Sequence, residues 1–167
     1  MDKSRVDTAK VSNRRTLKFT TFDDVVRDLD ALEAAHRAGT LCSTGNWTPG
    51  QILNHLAAWA GYPFDGYPAS VGAPPAIIRF VLKFMKKKYC FSAMPVGIRI
   101  PGVQGGTVGQ DDAPFDEGAS RLRRAIQRLD ATAPTLPSPV FGPMTHEEWK
   151  GLNLRHCELH LSFLTPR

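Results

Sequence analysis

Three histidines have the spacing expected of a metal site, and two of them lie close together near the end of the chain. His156 and His160 are four residues apart, so on a helix their rings share one face, with β-carbons about 6 Å apart. Apolar side chains recur around them at helical spacing, at Trp149, Leu152, Leu159 and Phe163. Both histidines are therefore predicted to lie on a buried, apolar stripe. Burying an imidazole without a partner costs roughly 1–3 kcal/mol, so we expect hydrogen bonds or a metal ion to satisfy both rings.

The third histidine, His55, occupies the same kind of position on an earlier helix. It shares a stripe with Ile52, Leu56 and Trp59, so its ring is also expected to face the core. Three inward imidazoles on two helices match the ligand number of a metal site that keeps a position open for water or substrate. The alternative is three core histidines satisfied by hydrogen bonds, but an i, i+4 pair joined by a third histidine favours a divalent transition metal. Imidazole ligands leave the choice among zinc, nickel, iron and manganese open.

The cysteines are not expected to extend the histidine set. Cys42, Cys90 and Cys157 are odd in number and far apart, with no CxxC pair, so they predict no disulfide framework. Cys157 points about 100° away from His156 around a helix, which favours packing over ligation or nucleophilic attack. Glu158 also points away from the stripe, so no general base is evident. The polar, basic N-terminus has no apolar signal core, and we expect a cytoplasmic protein.

Five helices are predicted to position these residues. They cover about residues 21–39, 48–62, 75–89, 116–132 and the stretch from 145 onwards. Capping boxes open the second helix at Thr48 and the last helix at Thr145, while Pro63 is expected to end the second helix. Residues 1–20 have no period and predict a flexible tail. A single domain over residues 21–167 is long enough to bury a hydrophobic core.

The net charge of +5 is concentrated in two stretches of the chain. Residues 1–15 carry +3 and residues 74–90 carry +5 without any acid, so the remainder is −3. One basic helix and a tail do not make the basic face that nucleic acid requires, so no nucleic-acid partner is expected. Basic amphipathic helices bind anionic membrane surfaces or pack on a domain with a solvated basic face. The second interpretation is favoured, and membrane contact through residues 75–89 is not expected.

The stretch from Phe91 to Ala113 is rich in glycine and proline. It is predicted to be a long irregular loop rather than a helix or strand. Long loops inside compact domains are often functional, so this one is a candidate cover for the metal site.

Two blocks of sequence together resemble the DinB-like superfamily of metal-binding helical bundles. The first block reads Asn-Trp-Thr-Pro-Gly-Gln-Ile-Leu-Asn-His-Leu over residues 46–56, and the second joins residues 141–149 to the pattern His156-xxx-His160-Leu161. The resemblance covers about residues 20–164 and is nearest to a branch of unassigned function. It implies an all-α fold, a four-helix bundle in which a long crossover over residues 63–115 carries an extra helix between the second and third bundle helices. It also implies one divalent metal held by His55, His156 and His160, the residues that the periodicity selects.

The resemblance leaves two classes of function open. Some members of the superfamily are transferases or isomerases that use low-molecular-weight thiols. By this resemblance, the chain is expected to be a metal-dependent enzyme that acts on such a thiol and a small electrophile. A metal would lower the pKa of the thiol and present it as a thiolate. Other members have no known activity, and the alternative is a non-catalytic helical module for binding or assembly, with structural histidines or a stabilising metal. Helical bundles also pair through their faces, so a homodimer is compatible with either function.

Overall fold

The chain folds into helices joined by loops, and the computed structural model describes residues 6–97, 99, 103 and 106–167. Across these residues the α-helices are Phe22–Arg37 (α1), Pro49–Asp65 (α2), Ala76–Phe91 (α3), Phe115–Ala131 (α4) and His146–Leu161 (α5). A 3-10 helix covers Thr8–Lys10, and strands Leu41–Ser43 (β1) and Leu164–Pro166 (β2) pair antiparallel. The prediction of an all-α fold holds broadly, and the two-stranded sheet is a small addition that it lacked.

The starts of three helices follow from hydrogen bonds that their sequences encode. Thr21, Thr48 and Thr145 are N-caps, and each forms a capping box with the residue three positions later. The boxes predicted at Thr48 and Thr145 are thus confirmed. The prediction that Pro63 ends the second helix is wrong, because α2 continues to Asp65. A proline so close to the end of a helix removes few of its backbone hydrogen bonds.

The core forms where α2 packs against α4, the most extensive helix contact among the described residues. One apolar stripe of α4 has helical spacing and is buried, and it consists of Phe115, Ala119, Leu122, Ile126 and Leu129. Gly50 lets the start of α2 approach the chain just before α4 closely, since a β-carbon there would lie 1.9 Å from the Ala113 carbonyl oxygen. The first turn of α2 is therefore held tightly against the chain that enters α4.

Helix α5 presents two different faces to the protein. Its core face is buried and consists of Asn153, Leu154, Cys157 and Leu161. His156, Leu159 and His160 lie on the other face and are only half-buried, because they line a cavity. The stripe predicted from the helical period around His156 and His160 lies on α5, but these two histidines face the cavity rather than the packed core.

Helix α3 is anchored through its C-terminal half. The Lys86 ammonium lies 2.8 Å from the Glu148 carboxylate on α5, and Cys90 is fully buried. Gly151 of α5 leaves room for this contact, since a β-carbon there would lie 2.6 Å from the Cys90 carbonyl oxygen. Within the described part of the chain, no helix combines the length and the apolar character needed to cross a membrane.

The apolar side of α3 departs from the sequence prediction. Four large side chains on this side are exposed, namely Ile77, Phe80, Val81 and Phe84. The expectation that this side packs on the rest of the domain is wrong for these residues. The contacts described above between α3 and α5 involve Lys86 and Cys90, which lie C-terminal to these four residues.

The segment before α1 lies against α1 and against the C-terminal end of α5. Arg15 makes two hydrogen bonds to the Asp28 carboxylate, at 2.6 and 2.8 Å. Phe19 is buried, and its backbone N–H donates to Glu158 at 2.5 Å. The division into a flexible tail of residues 1–20 and one domain of residues 21–167 stays a prediction, but residues 14–19 of that tail contribute to the packed structure.

A candidate metal centre

The predicted histidines come together in space. One ring nitrogen each from His55, His156 and His160 can be chosen so that all three lie within 4.8 Å of one another. The Nε2 atoms of His55 and His156 lie 3.1 Å apart. The three ring centroids lie 4.6–5.0 Å apart. The structure thus brings together on α2 and α5 all three residues that the spacing selected.

The tautomer of His55 is set by the backbone of a distant loop. Its Nδ1 lies 2.8 Å from the carbonyl oxygen of Val108. A carbonyl oxygen only accepts, so Nδ1 carries the hydrogen and Nε2 presents a lone pair toward His156. The indole Nε1 of Trp59 donates to the same oxygen at 3.2 Å. An imidazole fixed through its outer nitrogen by a carbonyl is the usual support for a metal-binding histidine.

The short contact between the two Nε2 atoms requires something between them. If His156 also presented a lone pair, the two nitrogens would repel each other, so either a proton or a cation must lie between them. Two imidazole nitrogens bound to a tetrahedral zinc ion, at about 2.0–2.1 Å each, lie about 3.3 Å apart. The observed 3.1 Å is close to that separation. The donor set therefore fits a divalent metal, and a single N–H···N hydrogen bond is the alternative that the same distance allows.

Burial keeps all three imidazoles neutral. It lowers the pKa of His55 to about 4, despite the hydrogen bond to Val108. The pKa of His156 falls well below its ordinary value, first through burial and then through the neighbouring His55. For His160, burial again comes first, and its histidine neighbours and Arg14 lower the pKa further. Since the neutral ring is the form that binds metals, the site is ready for a cation at neutral pH.

Two tryptophans enclose the imidazoles. The Trp47 ring stacks on His160 with centroids 5.4 Å apart and an interplanar angle of 9°. Trp59 meets His156 edge-on at 6.2 Å, and it also lies 6.1 Å from His55. These rings restrict the orientations of the imidazoles and displace water from around them.

The loop that supplies the Val108 carbonyl is itself held by α2. The Asn54 amide donates to the carbonyl oxygens of Gly109 and Asp111, at 3.5 and 3.3 Å. Its own oxygen accepts from the Arg121 guanidinium at 2.8 Å, and the side chain is buried. Asn54 therefore ties the loop to α2, so that the loop in turn orients the neighbouring His55.

A cavity of about 1210 Å³ opens beside the three histidines. Its walls are largely apolar and aromatic and include Trp47, Trp59, Ile78, Leu82, Met94, Val140, Phe141 and Leu152. Sites for small ligands are typically mostly apolar with a few convergent polar groups. This cavity has that character, and the three imidazoles are among its polar groups.

The other side chains that could bind a metal lie outside the triad. Among the described residues, no carboxylate or cysteine sulfur is grouped with the three imidazoles. Burial raises the pKa of the Cys157 thiol to about 12, which agrees with a packing role. Glu158 pairs with Arg155 at 2.8 Å, away from the cavity. His36 is exposed and stacks on Phe115 at 4.2 Å, so no fourth histidine joins from α1.

Sequence reasoning did not find three supporting residues of this site. Val108 acts through its backbone and lies in a long irregular loop, so its side chain carries no signal. Trp47 and Asn54 enter the sequence analysis only as members of the block of residues 46–56, without a role of their own. The one available signal was the amide of Asn54 on an otherwise apolar helix face, since a buried amide needs partners.

The comparisons with known proteins give a family without an activity. A family described as "Protein of unknown function (DUF1569)" matches residues 11–167. No curated protein and no solved structure matches the chain. The match includes α1 to α5 and all three histidines.

Proposed function

The chain belongs to the DUF1569 family of proteins of unknown function, and we propose that it is a DinB-like protein that binds one divalent transition metal through His55, His156 and His160. In this interpretation α1, α2, α4 and α5 are the four bundle helices. The stretch between α2 and α4 is then the long crossover, with α3 as its extra helix. The packing of α2 against both α4 and α5 supports this arrangement.

One observation carries the metal assignment. The lone pair of His55 Nε2 points at His156 Nε2 across 3.1 Å, while His55 Nδ1 is already committed to Val108. Three neutral imidazoles with no grouped carboxylate are costly to bury facing one another, and a cation removes that cost. Three protein ligands also leave a position open for a substrate, as in catalytic zinc sites.

The chemistry proposed for the site is transfer of a low-molecular-weight thiol to a small electrophile. A divalent metal held there would lower the pKa of a bound thiol, so that it reacts as a thiolate at neutral pH. The protein's own residues would orient the reactants and exclude water. Trp47 and Trp59 flank the imidazoles, and the apolar cavity walls suit an electrophile with an apolar body.

Metal content tests the ligand assignment directly. Untagged wild-type protein should contain about one transition metal per chain by elemental mass spectrometry, and the His156→Ala variant should contain almost none. The matched control is His36→Ala, which removes an exposed histidine outside the triad and should keep full metal content. Equal metal content in wild type and His156→Ala would refute the assignment, as would the absence of metal from both after reloading.

A second candidate function is a non-catalytic module in which the metal only stabilises the fold. It is favoured by the described ligand set, in which no carboxylate is grouped with the three imidazoles. Turnover of an electrophile with glutathione-like thiols, lost on chelation and restored by metal, would support the enzyme. A metal that raises the melting temperature without any thiol-dependent turnover would support the structural role instead.

A further inference from the structure

We propose that the outward face of α3 binds the surface of anionic membranes. This face is defined by Ile77, Phe80, Val81 and Phe84, which have the i, i+3, i+4, i+7 spacing of one helix side. Their exposed fractions are 76%, 64%, 53% and 74%. They form a continuous ridge of large apolar side chains, and contiguous exposed patches of this kind mark interaction sites.

Lysines border this ridge on the same helix. With successive residues 100° apart around the axis, Lys83 and Lys87 follow one edge of the ridge and Lys88 lies at its C-terminal end. All three are exposed, and α3 contains no acidic residue. Lys86 differs from them, because it turns inward to pair with Glu148. Among the residues that the structure describes, the three exposed lysines make no ion pair.

The charge pattern selects a bilayer over a second copy of the chain. Pairing two copies through this face would bring two sets of uncompensated lysines together, and like charges oppose that contact. An anionic bilayer offers both complements at once, because its headgroups attract the lysines and its acyl boundary accepts the apolar ridge. A helix that lies in the interface needs neither the length nor the uniform apolarity of a membrane-spanning one.

The opposite side of α3 forms part of the cavity wall. Ile78, Leu82 and Tyr89 line the cavity, while the ridge lies on the other side of α3. A protein docked through the ridge would therefore hold one cavity wall at the lipid surface. The docking itself does not depend on the proposed metal, since α3 carries none of the three histidines.

Vesicle co-sedimentation at low salt tests the proposal. Wild-type protein should bind vesicles that contain phosphatidylserine and phosphatidylcholine, and should not bind vesicles of phosphatidylcholine alone. Each cation near an anionic surface contributes roughly fivefold to affinity, so the double variant Lys83→Gln, Lys88→Gln should bind roughly 25-fold more weakly. Phe84→Ser should weaken binding roughly tenfold or more without changing the charge.

A control variant separates the face of α3 from total charge. Lys18→Gln with Arg124→Gln removes two exposed cations elsewhere, and it should bind within about twofold of wild type. No binding of wild type to the anionic vesicles would overturn the proposal, as would equal losses in the control and the α3 variant. A dimer seen by sedimentation velocity that Phe84→Ser separates would also overturn it, because the ridge would then belong to a second copy.

Discussion

Acid should destabilise the metal-free protein by protonating its three imidazoles, and the buried His55 gives the part of the effect whose size can be calculated. The pKa of His55 in the folded protein is about 4, below the value of about 6.5 for an exposed histidine. The unfolded chain therefore binds the proton more readily than the folded one. The neutral ring contributes its full stabilisation above pH 6.5, and that contribution is lost as the pH falls from 6.5 toward 4.

The size of this loss follows from the two pKa values. Between about pH 7.5 and about pH 5, a group with those values lowers the free energy of unfolding by about 2 kcal/mol. The pKa values of His156 and His160 are lowered as well, so the triad as a whole should lose more. Replacing His55 by Gln removes its titration, and it also removes the effect of His55 on the pKa of His156.

Urea unfolding with a chelator present, followed by tryptophan fluorescence, measures this effect. The free energy of unfolding is determined for wild type and His55→Gln at about pH 7.5 and about pH 5. Carboxylates far from the site titrate alike in both proteins and cancel in the comparison. Wild type should lose at least about 2 kcal/mol more than the variant across this range. Equal losses would show that the His55 ring is not desolvated in the folded state, and the electrostatic account of the site would be wrong.

Two further predictions concern residues that support the site and the core. Asn54→Ala should weaken metal binding by roughly 10–100-fold, because the loop that orients His55 loses its anchor. Competition with a chromogenic chelator measures the metal affinity, and an unchanged affinity would show that Asn54 does not position His55. Gly50→Ala should lower the free energy of unfolding by roughly 1–3 kcal/mol or more, since its β-carbon would meet the Ala113 carbonyl. The control is Gly72→Ala, because Gly72 has open space around it. Equal urea midpoints for the two variants would contradict the close contact between Gly50 and Ala113.

Local periodicity was sufficient to predict the positions of the helices. On α4 the apolar stripe with helical spacing is buried from Phe115 to Leu129, because that helix meets the core along a single face. The same reasoning identified His156 and His160, since residues four apart on a helix are neighbours in any fold. It could not distinguish a stripe that faces packed side chains from one that faces a cavity, because both are apolar.

Features that depend on distant parts of the chain could not be predicted in this way. The β1–β2 pair has three residues in each strand, which is too short for an alternating pattern to be recognised. The exposure of Phe80 and Phe84 depends on where α5 lies, and the amphipathic pattern of α3 gives no information about its partner. The support of His55 by Val108 is a backbone contact, to which any residue type at position 108 could contribute.

The Val108 carbonyl also has a consequence for how the protein folds. His55 and the residue that orients it are 53 positions apart, and His55 and His156 are 101 positions apart. Contacts between such distant residues form after the closure of long loops, which is slow compared with the formation of single helices. A metal ion therefore cannot act as an early template for this chain in the way that it does for a small zinc finger. The helices must first collapse around the core, and the ion would then stabilise a nearly complete native state, mainly by slowing its unfolding.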